Sequence, residues 1–163
     1  GSALSERIYG YGGNDVIHGG VGTDLVRGGS GADEIYGDAG NDVLIFDAAD
    51  VIIDGGTGTD ILLMDSGTGL VATIDATTNV RNIEQIHLGS GDAGRSISIN
   101  EAGVLAATDS NRQLIVSGES NDSVTLTGAV LQGQTLINNH AYKQYILGTT
   151  TVLVEDAVVV TVI

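Results

Sequence analysis

Aspartate and glycine recur in the first part of the chain at a spacing that could hold a hard cation. Gly10-Tyr-Gly-Gly-Asn-Asp15, Gly19-Gly-Val-Gly-Thr-Asp24, Gly28-Gly-Ser-Gly-Ala-Asp33, Gly37-Asp-Ala-Gly-Asn-Asp42 and Gly55-Gly-Thr-Gly-Thr-Asp60 each close a glycine-rich run on a carboxylate. Stacked carboxylates repel, and each raises the pKa of the next unless a cation intervenes. Calcium takes about six to eight oxygens, drawn from carboxylates and carbonyls. Glycine lets a turn adopt φ > 0 and aim its carbonyls at an ion. Cation binding is the chemistry this pattern offers.

The elements that must position these residues follow from the frame. Each aspartate is followed by three residues: Val-Ile-His18, Leu-Val-Arg27, Glu-Ile-Tyr36, Val-Leu-Ile45 and Ile-Leu-Leu63. An aliphatic column runs through the same frame at Ile8, Ile17, Val26, Ile35, Leu44, Ile53 and Leu62. Each unit therefore reads as a turn plus a three-residue strand whose middle side chain points inward. Strands this short cannot stand alone, but stacked units share one core. Two units close a coil, with the turns of Asp15 and Asp33 on one side and those of Asp24, Asp42 and Asp60 on the other. Residues 1–9 fit weakly, with Glu6 in the aspartate place. Residues 46–54 keep the length but lose the glycines, and Val51 stands where aspartate is due; Asp47 or Asp50 could substitute, but no ordinary site is expected there. Ordinary turn chemistry favours Asp and Gly, but it does not demand a constant frame.

The pattern Gly-Gly-x-Gly-x-Asp-x-aliphatic-x resembles the RTX nonapeptide, a calcium-binding repeat. The resemblance implies a parallel β-roll in which each ion is shared by one turn and the turn one coil on. The earlier turn gives its second and fourth carbonyls, the later one its first and third, and each adds its aspartate. One site then takes Tyr11, Gly13 and Asp15 with Gly28, Ser30 and Asp33. A second takes Gly20, Gly22 and Asp24 with Gly37, Ala39 and Asp42. A third takes Asp38, Gly40 and Asp42 with Gly55, Thr57 and Asp60. A weaker one joins the 1–9 turn to Gly19, Val21 and Asp24. The implied cofactor is Ca2+, about three to five ions.

The composition agrees with a cationic partner. The 163 residues carry a formal charge of -15, which argues against nucleic acid and anionic membrane. There is no Cys, so disulfides, thiol catalysis and thiolate zinc sites are excluded. No apolar run reaches the length of a membrane span, and no signal peptide is visible in the chain.

Beyond residue 65 the sequence becomes Thr-, Val- and Ile-rich. Strands are expected at 70–75, 83–88, 96–100, 113–117, 123–127, 142–147, 151–155 and 158–163. A short helix capped by Asn100 is expected over 101–107, and a hairpin around Gly148. The outward roll positions turn apolar at Val43, Ile45, Ile61 and Leu63, so the second half is expected to cover them. The fold class is all-β: a parallel β-roll (RTX solenoid) over 1–65, continuing into a β-rich capping region over 66–163 with one short helix. This layout, with Asn82-Ile-Glu-Gln-Ile86 and the ending Val158-Val-Val-Thr-Val-Ile163, resembles the C-terminal end of large bacterial RTX adhesins. That resemblance implies a secreted, cell-surface module of a Gram-negative bacterium that carries the uncleaved type I secretion signal. Its partner is then the type I transporter (inner-membrane ABC exporter, adaptor and outer-membrane channel), and the module is a monomer. The equivalent domain of a secreted RTX protease or lipase, and a module that contacts a ligand directly, stay open.

No catalytic constellation is read. His18, His87 and His140 are scattered, with His18 on an outward strand position and His140 in a loop. Glu34, Glu84, Glu101 and Glu119 read as solvated carboxylates. No zinc-protease or nucleophile-elbow motif, no EF-hand loop and no dinucleotide glycine loop is read.

Overall fold

The computed structural model describes residues 1–64, 71–75, 77, 79–90 and 94–163. The repeat frame becomes a coil. β1 (Arg7–Tyr9), β3 (Leu25–Arg27), β5 (Val43–Ile45) and β7 (Ile61–Leu63) stack in parallel on one side. β2 (Val16–Val21), β4 (Glu34–Ala39) and β6 (Ile52–Asp54) stack on the other. The register puts Ile8 beside Val26, Leu44 and Leu62, and Ile17 beside Ile35 and Ile53. Val26, Ile35, Leu44 and Leu62 are 0% exposed. Full burial of such a side chain is worth about 1.5–3 kcal/mol, so the inward column is what holds the short strands. β2 and β4 are longer than the expected three residues. Their pairing carries on into the next turn, where Gly20 faces Asp38 and Val21 faces Ala39.

The second half contains β8 (Val71–Ile74), β9 (Val80–Arg81), β10 (Gln85–His87), β11 (Ser96–Ile99), α1 (Glu101–Ala107), β12 (Gln113–Ser117), β13 (Ser123–Leu126), β14 (Val130–Ile137), β15 (His140–Leu147), β16 (Thr150–Glu155) and β17 (Val159–Val162). It does not wrap the outer face of the roll; it prolongs the coil end-on. β7 pairs with β10, β10 with β12, and β12 with β16, all in parallel. The inward column thus runs on from Leu62 through Ile86, Val116 and Val154. A second parallel sheet, β8–β11–β13–β17, forms another wall, and β9 extends the β2–β4–β6 sheet. Helix α1 packs against β8, β9 and β16. The outward apolar residues lie beside one another in the sheet. Val43 stacks on Ile61, and Ile45, which is 8% exposed, stacks on Leu63.

The helix is where the sequence puts it, and the Asn100 side chain accepts the N–H of Gly103 as its cap (2.8 Å). The hairpin at Gly148 joins antiparallel β15 and β16, and Gly148 has φ 56°. Two strands went unread. β9 has only two residues. β14 is exposed on both faces and shifts register between Leu131 and Gly133, so it lacks a clean alternation. His140 opens β15 instead of lying in a loop. The start of the first expected strand, Leu70, and the expected boundary at residue 65 lie outside the described residues. Among the described residues no helix is long and apolar enough to cross a membrane.

Candidate metal centre

Each repeat aspartate stands immediately before a strand, so the stacking of strands stacks the carboxylates. Their Oδ1 atoms form a ladder with the backbone of the coil before. Asp24 accepts the N–H of Glu6 (2.7 Å), Asp42 that of Asp24 (2.8 Å), and Asp60 that of Asp42 (2.8 Å). On the other side Asp33 accepts the N–H of Asp15 (2.8 Å). Asp24 is 1% exposed, and Asp33, Asp42 and Asp60 are 0% exposed.

The second oxygen of each carboxylate is left over. Oδ2 of Asp15, Asp24, Asp33, Asp42 and Asp60 is buried and has no hydrogen-bond partner. An unmet buried acceptor costs about 1–3 kcal/mol, and more when charged. These oxygens lie over the first glycine of their own turn, and those of Asp15, Asp24 and Asp42 lie opposite the first carbonyl of the turn one coil on. A methyl at Gly19 would lie 2.9 Å from Asp24 Oδ2 and 2.6 Å from the Gly37 carbonyl oxygen. At Gly10 it would meet Asp15 Oδ2 at 2.7 Å and collide with the Gly28 oxygen. At Gly37 it would meet Asp42 Oδ2 at 2.6 Å and collide with the Gly55 oxygen. At each place an acceptor faces an acceptor with no donor between them, which is an arrangement that fits a cation.

The other carbonyls expected at the sites carry inter-turn hydrogen bonds. Tyr11 and Asp38 accept the N–H groups of Ser30 and Thr57 (both 2.8 Å). Ser30, Ala39 and Thr57 accept those of Gly13, Gly22 and Gly40 (all 2.9 Å). A carbonyl has two lone pairs, so each keeps one. Tyr11 (φ 70°) and Asp38 (φ 71°) adopt the left-handed conformation at the position the repeat usually gives to glycine. The fourth-position oxygens of Gly13, Gly22 and Gly40 lie where a side chain at Gly31, Gly40 or Gly58 would stand. At the weaker N-terminal turn, Val21 donates to the Ser2 carbonyl (2.8 Å) and Gly20 approaches the same oxygen. Glu6 there turns its carboxylate back to Ser2, accepting the Ser2 hydroxyl and the Ser2 N–H (2.9 and 3.1 Å to the N–H), and these bonds lower its pKa.

Burial dominates the electrostatics. It raises the pKa of Asp42, with the charges of Asp24 and Asp38 adding to it. It pushes Asp60 up to about 6, helped by Asp42, Glu84 and Asp54. Among the described residues no three His, Asp or Glu side chains gather into a metal cluster. Paired carboxylates filled out by carbonyls suit a hard ion such as calcium and not a nitrogen-seeking transition metal.

Several residues read otherwise from sequence belong to this account. Glu84, read as solvated, continues the ladder by accepting the Asp60 N–H (2.9 Å), and burial raises its pKa. It directly precedes β10 as Asp60 precedes β7, which is the signal that could have found it. Asp122, 0% exposed, accepts the Arg95 N–H (2.8 Å) through Oδ1 and the Glu119 N–H (2.8 Å) through Oδ2, so both of its oxygens are satisfied. His18 stacks on Tyr36 (4.7 Å between centroids), and its Nδ1 lies 3.1 Å from the Asp38 carboxylate. Gly89-Ser-Gly-Asp-Ala-Gly94 does fit the bare dinucleotide glycine pattern, contrary to the reading above. It leads into strand β11 and not a helix, so the phosphate-binding context is missing.

Residues 1–34, 19–50 and 36–71 match the family model of the RTX calcium-binding nonapeptide repeat, which spans four copies. The comparisons with curated proteins and with solved structures gave no match. The stacked turns that end in Asp15, Asp24, Asp33, Asp42 and Asp60 thus lie within the residues that are similar to the RTX calcium-binding repeat.

Proposed function

We propose that this chain is the calcium-dependent C-terminal module of a secreted bacterial RTX adhesin, folding on calcium outside the cell and carrying the type I secretion signal. The observation that carries the calcium switch is the set of five buried aspartate Oδ2 atoms without partners. Tyr11, Gly13 and Asp15 with Gly28, Ser30 and Asp33 would hold one ion. The sets built on Asp24 with Asp42 and on Asp42 with Asp60 would hold two more. Bound calcium supplies the positive charge that two facing acceptors lack.

Where calcium is scarce, the ladders repel and the roll stays open enough to be exported. Outside the cell the carboxylates and carbonyls close on the ion, and binding free energy becomes folding free energy. A ligand at 100 times its Kd contributes about 2.7 kcal/mol per site. Three sites then rival the whole stability of a typical domain, about 5–15 kcal/mol. The later strands would present the signal to the transporter. No catalytic step is assigned to the chain.

The test is far-UV circular dichroism of the chelated chain during a calcium titration, with magnesium as control. The expected outcome is a cooperative, calcium-selective gain of β signal that is lost in Asp24→Ala/Asp42→Ala. A chain fully folded in chelator sinks the switch.

One observation favours a second reading, a calcium-dependent ligand-binding module. Tyr9 and Tyr11, with ring centroids 6.3 Å apart, line a cleft of about 340 Å³ together with Arg27, Ser30 and Asp47. Calcium-dependent capture of a glycan that is lost in Tyr11→Ala would support it.

A further inference from the structure

Strand β14 ends the nine-stranded sheet and pairs there only with β15, while β1 of the repeat roll ends the same sheet on the other side. In an antiparallel pair alternate residues turn their N–H and C=O groups away from the partner strand. The free edge of β14, eight residues long, therefore offers a row of open backbone groups. Such edges are ordinarily guarded by Lys, Pro or a covering segment. β14 has no charged residue and no Pro. Instead Val130 (60% exposed), Leu131 (57%) and Leu136 (72%) stand out in solvent.

The register makes this edge complementary to itself. Seven positions of β14 face successive residues of β15, from Val130 against Ile146 to Ile137 against His140, and Gln132 is the extra residue of a bulge. Gln134, against Lys143, is the middle one. A two-fold axis through Gln134 sets Leu131 opposite the partner subunit's Leu136, and Val130 opposite the partner subunit's Ile137. An axis normal to the sheet keeps every residue on its own face, so residues paired across it must share a face. The bulge meets that condition. Leu131 and Leu136 stand against Tyr145 and Ala141, four residues apart on β15, and so lie on one face. Val130 and Ile137 stand against Ile146 and His140, six apart, and share the other face. Without the extra residue each pair would fall on opposite faces.

We propose that β14 is a homodimer interface: two copies of this chain join their free β14 edges antiparallel, tail to tail, about a two-fold axis at Gln134. The distribution of charge names a second copy as the occupant. Of the 21 acidic residues only Glu155 and Asp156 lie beyond Asp122, and Lys143 pairs with Asp156 (3.1 Å). Two chains of charge -15 can therefore meet at this end, each keeping its acidic roll at the far side of the sheet. The contact is isologous, with the same patch used on both sides, as in most dimers. Seven paired positions make a small interface, so the dimer is reversible and forms with rising concentration. It replaces the monomer that the family resemblance implies, and it stands independently of the calcium reading.

The test is sedimentation velocity of the whole chain in calcium over a range of concentrations. The parent should pass from monomer to dimer as concentration rises. Leu136→Lys and Leu131→Glu should each weaken the dimer about tenfold or more, because each spoils both leucine pairs. The double variant Leu131→Glu/Leu136→Lys sets opposite charges across the axis and should restore the dimer. A parent that stays monomeric at every concentration overturns the proposal and leaves the edge to a different protein. A dimer that the single variants leave unweakened, or that the double variant fails to restore, overturns it as well. If the charged variants do not fold, Gln134→Cys decides, since the chain has no Cys of its own. Mild oxidation should link two copies through the axis, and much faster than in Thr135→Cys, which faces the partner subunit's Gly133. Equal rates in the two overturn the register.

Discussion

At the scale of single residues, the two oxygens of each repeat aspartate do different jobs. Oδ1 closes the backbone ladder and Oδ2 waits for charge, so a substitution that keeps one and alters the other separates them. Asp42 is the informative position, because it belongs to two turn pairs. Asp42→Asn keeps an acceptor for the Asp24 N–H and removes a buried charge. Without calcium it should stabilise the chain by about 1–3 kcal/mol. With calcium at 100 times Kd it should destabilise by about 2.7 kcal/mol for each ion lost. Thermal midpoints in chelator and in calcium would show this reversal of sign; a change of the same sign in both sinks the division of labour. Protons act on the same groups. The folded-state pKa of Asp60 is raised from 3.8 to about 6, so folding favours its neutral form. That contribution is fully present below about pH 4 and is lost as pH rises through about 6. The calcium-free chain should therefore lose stability across this window while calcium affinity rises. Calcium-free stability that climbs from pH 4 to 6.5 would contradict it. The repeat aspartates were legible from sequence because their frame is constant. Glu84 was not, because it differs in residue type and only stacking brings it into line.

At the scale of the element, a turn works because its first glycine leaves room for two oxygens. No positive φ is required at Gly37; space is the constraint. A methyl there would sit 2.6 Å from Asp42 Oδ2 and against the Gly55 carbonyl. Gly12 makes a matched control, since a methyl there finds nothing nearer than 3.7 Å. Gly37→Ala should lose one ion by calorimetry and lower the midpoint in calcium by several degrees. Gly12→Ala should keep the parent count. Equal counts in both would mean that the first glycine serves backbone freedom and not the ion. The strands were legible where one face is buried, as in β12 and β16, because burial enforces alternation. β14 was invisible because neither face is buried. The end-on junction was missed for a related reason. Outward apolar residues suggest a covering layer, yet in-register stacking sets Ile45 and Leu63 beside one another in the sheet.

At the scale of the whole molecule, one apolar column runs through two regions of opposite polarity in their needs. Among the described residues, the buried unpartnered carboxylate oxygens all lie between Asp15 and Asp60. Further on, the turns satisfy themselves. Asp122 uses both oxygens on N–H groups, and Glu101 binds the Thr149 N–H (2.7 Å), tying α1 to the β15–β16 turn. Calcium dependence should therefore end where the self-satisfied turns begin, although the sheet itself is continuous across β7 and β10. Hydrogen exchange on the intact chain tests this. In chelator, amides of β1–β6 should exchange fast, while those of β11, β12, β13 and β16 stay protected. Adding calcium should slow exchange in the roll by orders of magnitude and leave the later strands nearly unchanged. The protected strands would then be a template, with Leu62 docking on Ile86 as the first step and coils adding towards the N-terminus as ions arrive. A uniform loss of protection in chelator would instead make the column a single cooperative unit. Calcium would then govern the later strands as well, and the order of folding would have to come from something other than the distribution of charge.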